Sequence, residues 1–331
     1  MPASYRPWGD LLWLLDKLPQ ADWFLLGCLG TETRSLAAWK QLKLHGLSTQ
    51  SRLARIQEPR SRFDGTTQAR KTTRHGEYYA GGGTDQGLAD LSLFTTAFMI
   101  NSLVTTLTDS QKRDVVLDIS SLPKRFFFPL LKTLVNCTAV QNLVVTYAVP
   151  VSYTDEALAE DFGDWRSLPS FGGLDPSVTP DTLIVNVGHL PMGLPDQVLH
   201  GPRMDVNLLF PFPNLPSSYR RTWDFLWTIE RELKNETVAI RHVSPVDVSD
   251  AFDHICAVTE MGAKSAMFAP YGPKPISLAM CLYAMLKDDP VFYTQPRVYH
   301  PDYSLGTANE GGADKIWAYL VKHNGTSAYR L

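Results

Sequence analysis

"SAMFAPYGPKPISLAMCLYAML", residues 265–286, decides the fold class. The apolar run Ala266–Ala269 stops at Pro270, as a buried strand does where a proline removes the next ladder donor. Tyr271–Pro275 is a tight connection holding one glycine, two further prolines and one lysine. Ile276, Leu278, Ala279 and Leu282 then recur at helical spacing, so Ile276–Leu286 reads as a helix. A strand, a short loop and a helix in direct succession form the building unit of an α/β sheet.

The same syntax recurs upstream. In "WFLLGCLGTETRSLAAWKQLK" a strand, Trp23–Leu26, passes through Gly27–Thr33 into a helix, Ser35–Leu44. In "DVVLDISSLPKRFFFPLLKTLV" the strand is Val115–Ile119, the turn Ser120–Pro123 and the helix Lys124–Val135. Pro123 suits a helix start, where its missing N–H costs nothing. Further strands are read in "TLIVNVG", "VNLLF" and "TVAIRHV", and helices in "SYRRTWDFLWTIERELK" and "VSDAFDHICAVTEM". The expected fold is α/β with mainly parallel, Rossmann-like sheets, as two Rossmann-like halves or one large doubly wound sheet. The expected partition is an N-terminal half over 1–150, a linker loop over 151–181, and a C-terminal half with terminal strands over 182–331. Residues 57–86, polar and glycine-rich, read as a long mobile loop with Arg60, Arg62, Arg70, Lys71 and Arg74. Residues 87–107 read as helical.

Bulk properties narrow the class. The chain has 331 residues, 44% of them hydrophobic, which is enough for a full core. Its net charge of -3 points away from a nucleic-acid polycation. Cys28, Cys137, Cys256 and Cys281 lie far apart in apolar contexts and read as reduced thiols, without the clustered spacing of a zinc site; no metal is expected. No signal peptide is read at the N-terminus, and no apolar run approaches the ~20 residues of a membrane span. A cytoplasmic protein without membrane association is expected.

Ligands of parallel α/β sheets bind beyond the carboxyl ends of the strands. Three junctions carry polar and charged residues there: "GCLGTETRS" (27–35), "DISSLPKR" (118–125) and "APYGPKP" (269–275). Helix N-termini favour anions, and glycine lets a ligand approach the backbone. Thr31, Arg34, Ser120, Ser121, Lys124, Gly272 and Lys274 are therefore the candidate ligand-binding residues, for an anionic, nucleotide-like ligand. The alternative is that the serines and threonines cap helices and the glycines and prolines only connect. Neither GxGxxG nor GxxxxGK[ST] is present, and the sequence names no cofactor. Asp118 and Glu32 are the candidate catalytic carboxylates. Asp118 also suits a cap on the turn through Ser120 or Ser121, and Glu32 a surface pair with Arg34. No nucleophile elbow or metal-binding histidine pair is present, so the sequence does not decide whether the protein is an enzyme. Trp223 and Trp227, four apart on one helix face, read as core or interface packing.

Taken together, "FLLGCLGTETRSL", "LDISSLPKRFFFPLL", "YAVPVSY" and "FAPYGPKPISLAMCLYA" resemble a loosely defined group of Rossmann-like proteins of bacterial defence and mobile-element loci. The pattern is also similar to CARF-type sensor domains, with "SLPK" and "GPKP" in place of their GGTK-like junction. The positions this resemblance carries over are Thr31, Arg34, Ser120, Lys124, Gly272 and Lys274. It implies a non-catalytic ligand-binding or adaptor subunit of an antiviral defence system, working with a protein partner or effector subunit. The alternatives are a nucleotide-processing hydrolase on the same fold and a structural subunit of a multiprotein complex.

Overall fold

A computed structural model describes residues 5–19, 22–48, 50–107, 112–172, 179–194, 203–213, 216–232 and 238–331. The chain divides into two compact units. One comprises residues 1–161 and 296–328; the other comprises 162–295 and 329–331.

The first unit is built on strands β2 (Phe24–Cys28), β3 (Gln50–Gln57), β4 (Leu88–Ser92), β5 (Arg113–Asp118) and β6 (Val140–Ala148). All five run parallel in the order β6-β5-β2-β3-β4. The chain winds outward from β2 to β4, then returns to the other side of β2 and continues to β6. The antiparallel strands β17 (Ile316–His323) and β1 (Trp8–Asp10) extend the sheet beyond β6, and β18 (Thr326–Ser327) pairs with β17. Short pairings of β7 (Ser152–Tyr153) with β14 (Ser304–Leu305), and of β15 (Asn309–Glu310) with β16 (Ala313–Asp314), complete the unit.

Its helices are α1 (Leu11–Asp16), α2 (Ala37–Leu44), α3 (Asp64–Ala80), α4 (Ala97–Asn101) and α5 (Lys124–Asn136). Asp10 caps α1 by accepting from the Leu12 and Trp13 amides. Helix α5 buries Phe126, Phe127, Phe128, Leu130, Leu131 and Leu134. Each such side chain contributes about 1.5–3 kcal/mol on removal from water.

The second unit repeats the winding. Strands β9 (Thr182–Asn186), β10 (Asp205–Pro211), β11 (Val238–Val243) and β12 (Ala266–Pro270) are parallel in the order β11-β10-β9-β12. Again the chain moves outward, here from β9 to β11, and returns to the far side of its first strand. The helices α6 (Pro216–Glu232), α7 (Val248–Val258) and α8 (Lys274–Lys287) belong to this unit. The chain leaves the first unit within β8 (Ala159–Ser167) and re-enters it within β13 (Phe292–Tyr299). The fold is thus Rossmann-like α/β in both units.

Several expectations are corrected. Residues 57–86 hold the 17-residue helix α3 in place of a loop. Only Tyr78 of that helix is buried, so no apolar stripe announces it. Four of the basic residues of 57–86 are tied down: Arg62 to Glu160, Arg70 to Asp302, Lys71 to Glu58 and Arg74 to Glu77. Residues 87–107 begin with a strand, β4, because Leu88 and Leu91 pack inward beside β3. The segment 151–181 carries β7 and β8, with 173–178 lying outside the described residues. The C-terminal strand β17 belongs to the first unit, where it covers the edge that β6 would leave unpaired.

Candidate functional site

In a doubly wound sheet the strand order reverses at one place, and the carboxyl ends of the two strands there diverge to leave a crevice. In the first unit that place lies between β2 and β5. The junctions 27–35 and 118–125 therefore meet there, and Ser121 Oγ donates to the Cys28 carbonyl at 3.1 Å.

Most polar groups at this reversal are already committed. Arg34 is buried in the 3-10 turn Thr33–Leu36. Its Nε donates to Glu32 Oε2 at 2.9 Å and to Ser304 Oγ at 3.0 Å, and its Nη1 donates to the Ala148 carbonyl at 3.2 Å. Ser304 Oγ also donates to Glu32 Oε2. Burial pulls the Arg34 pKa down, but the charge of Glu32, with Tyr147 and Tyr153 nearby, more than offsets this and raises it. The half-buried Tyr153 phenol is pushed well above its ordinary value, mainly by desolvation and by Tyr147.

Asp118, at the end of β5, accepts from the Ser120 amide at 3.1 Å, from Ser120 Oγ, and from Thr146 Oγ1 at 3.2 Å. Ser120 Oγ in turn accepts from the Ala148 amide at 2.7 Å. Lys124 is buried at the start of α5, while Thr31 and Ser121 are half-buried.

The reversal of the second unit, between β9 and β12, is closed differently. A side chain at Gly272 would place its Cβ 2.1 Å from Asn186 Oδ1 and 2.2 Å from the Val187 carbonyl. At Gly188 it would lie 2.3 Å from the Tyr271 carbonyl. Backbone meets backbone, and only glycine fits either position. Asn186 Nδ2 locks the contact by donating to the Pro273 carbonyl at 2.9 Å and to Ser277 Oγ at 3.0 Å. Lys274 follows as the first residue of α8, half-buried.

The candidate residues are divided between the units. The three junctions do not share one sheet: Thr31, Glu32, Arg34, Asp118, Ser120, Ser121 and Lys124 lie in the first unit, and Gly272 and Lys274 in the second. Arg34 does not offer free positive charge, because Glu32 neutralises it. Gly272 serves the close approach of protein backbone.

A cavity of about 500 Å³ lies in the first unit. Its walls are the carboxyl end of β3 with the turn that follows, α3, Asp90 of β4, and Val298 and Tyr299 of β13. Arg55 and Asp90 are register partners on adjacent strands and pair at 2.5 Å, which raises the Arg55 pKa. Arg55 Nε is buried without a hydrogen-bond partner. Lys71 Nζ donates to the Ile56 carbonyl at 2.7 Å and to Glu58 at 3.2 Å. Burial, with Arg55 and Lys71 nearby, lowers the His75 pKa. Asp64 accepts from the Ser61 amide at 2.7 Å, so all three lining carboxylates are engaged. Gln57, Gln68, Thr67 and Tyr299 complete a wall rich in hydrogen-bonding groups. Of these residues the sequence marks only Lys71, as one of the basic residues of 57–86, because they converge only when β3, β4, β13 and α3 assemble.

Among the described residues, no group of three His, Cys, Asp or Glu side chains is placed to hold a metal ion. No described helix is long and apolar enough to cross a membrane.

No family model matches the chain. No curated protein matches it. Among solved structures, it is similar to a functionally unknown protein from Pseudomonas aeruginosa PAO1, with 12% identity over 84% of this chain and 94% of that chain and a TM-score of 0.23. A likeness of that degree carries no argument about function.

Proposed function

We propose that this protein is a ligand-binding or adaptor protein whose first unit takes a small anionic, nucleotide-like molecule in the cavity between α3 and the ends of β3 and β4. The observation that carries the reading is Arg55: its Nε is buried without a partner on the wall of a cavity of about 500 Å³. Small-molecule sites commonly span about 300–1,000 Å³. A buried donor without an acceptor costs about 1–3 kcal/mol, and an anionic oxygen would remove that cost. Lys71 supplies a second cation and His75 a titratable donor. The hydrolase alternative is weaker, because Asp118 is committed to its turn and Glu32 to Arg34 and Ser304. In the defence setting that the resemblance implies, the protein would bind the signal and a partner would act on it.

Native mass spectrometry of the purified protein tests for a retained small anion. Calorimetry with nucleoside mono-, di- and triphosphates then tests the site. Arg55→Gln and Lys71→Gln should each lower affinity by about 10–100-fold, the loss of a charge-assisted hydrogen bond. Stability should change little, since both ion pairs are partly exposed. Retained affinity in both variants, or no binding of any of these anions, overturns the reading.

A further inference from the structure

Six described residues of helix α6 are exposed, with Asp224 (3.8 Å from Arg220) and Arg231 at the flank of four that recur at spacings of three, four and three: Arg220, Trp223, Trp227 and Glu230. At 3.6 residues per turn these fall on one narrow stripe. The opposite side of the helix carries the buried Ser218, Thr222, Phe225, Leu226 and Ile229. Trp223 is 40% exposed and Trp227 60% exposed. Neither is needed to fill the core, although the Trp223 ring leans on Phe210 at 5.1 Å between centroids. An open groove of about 480 Å³ beside Trp227 is lined by Asp224, Thr228, Glu230 and Arg231. Two neighbouring tryptophans in water, bracketed by charge, mark an interaction surface, because tryptophan dominates the energetics of interface centres.

The order of the four residues selects the occupant. The stripe begins with a cation, ends with an anion and is aromatic between them. When it is set against itself antiparallel, with a two-fold axis at the level of residue 225, Arg220 meets Glu230 of the partner subunit. Trp223 then meets Trp227 of the partner subunit. A two-fold contact uses the same patch from both copies, so a patch must complement itself, and this one does. A parallel pairing would set Arg220 on Arg220 and Glu230 on Glu230. We propose that α6 is a homodimer interface in which two copies pack antiparallel through this stripe. This proposal is independent of the ligand reading.

Size-exclusion chromatography with light scattering, across a concentration series, tests it. The wild-type protein should reach twice the chain mass. Trp227→Glu should return it to the single-chain mass with unchanged far-ultraviolet circular dichroism. Arg220→Glu and Glu230→Arg should each raise the dissociation constant about tenfold or more, and the two together should restore it. The charge variants decide the matter if Trp227→Glu does not fold. A single-chain mass at the highest soluble concentration overturns the proposal. So does a dimer indifferent to these substitutions, or a double swap no tighter than the single ones.

Discussion

Two units of one chain wind their sheets the same way and close the reversal of strand order by opposite means. At β2 and β5 the first unit uses charge and hydroxyls: Arg34 with Glu32 and Ser304, and Asp118 with Ser120 and Thr146. At β9 and β12 the second unit uses absence, with Gly188 and Gly272 letting backbones touch. The helices after β5 and β12 nevertheless start alike, each with a proline at the N-cap and a lysine next: Pro123–Lys124 and Pro273–Lys274. Topology therefore sets where a crevice can form, and side-chain chemistry sets whether it stays open. The contrast extends to the second and third strands of each unit. Their ends support a polar cavity under α3 in one, and exposed aromatics around Phe212 and Trp223 in the other.

The comparison breaks most visibly at Arg34. Arg34→Met leaves the Glu32 carboxylate beside a buried site without its cation, and should destabilise the first unit by about 3–5 kcal/mol in urea unfolding. Adding Glu32→Met should recover much of that loss, because the lone charge is then gone. No recovery in the double variant would mean that the pair also organises the turn by its geometry.

The two reversals can be set side by side through their glycines. Gly272→Ala forces a Cβ into Asn186 and the Val187 carbonyl, and should cost about 3 kcal/mol. Gly30→Ala, at the reversal of the first unit, meets nothing closer than Ser121 Cβ at 3.7 Å. It should stay within about 0.5 kcal/mol of wild type, as a substitution without a clash does. Equal effects at the two positions would refute the idea that only the second unit is closed by backbone contact.

A smaller effect is expected at Asp118. Asp118→Ala removes the acceptor for Ser120 and Thr146 and should cost about 1–3 kcal/mol, read as a lower urea midpoint with an unchanged slope.

The sequence shows these regions unequally. Strand–turn–helix junctions were legible because each element carries its own signal: apolar runs ending at Leu26, Leu117 and Ala269, then helical spacing. Asp118 as a turn cap was legible for the same reason, since its partner Ser120 is two residues away. Arg34 was not, because its burial depends on Ser304 and Ala148, distant in sequence. The helix α3 was missed because its face toward the sheet is polar. Arg55 reaches the cavity from β3, and Lys71 and His75 from α3, so they meet only through the packing of that helix against the strand ends, which no local pattern encodes. The return of β17 to β6 is likewise a long-range pairing, invisible until the first sheet exists.

The smallest effect concerns a buried carboxyl group of the second unit, Asp289. In the first unit Lys322 also lies buried, yet its Nζ donates to the Val135 and Cys137 carbonyls at the end of α5, at 3.0 and 2.8 Å. Asp289 has no such provision for one of its oxygens: Oδ2 is buried without a partner. Burial raises its pKa from the ordinary 3.8 to about 6, with a hydrogen bond from the Ala266 backbone and the charge of Lys287 pulling the other way. The folded chain thus holds this proton to a higher pH than the unfolded chain does. Its contribution is fully present below about pH 4 and is lost as pH rises through about 6. Asp289→Asn keeps the shape without the charge. It should flatten this part of the pH profile and stabilise the second unit at pH 7 by no more than about 2 kcal/mol, after allowance for solvent screening. Hydrogen exchange of residues 266–289 at about pH 5 and pH 7 reads the difference between variant and wild type. If the two differ as much at pH 5 as at pH 7, the side chain matters for its packing, and its proton is irrelevant.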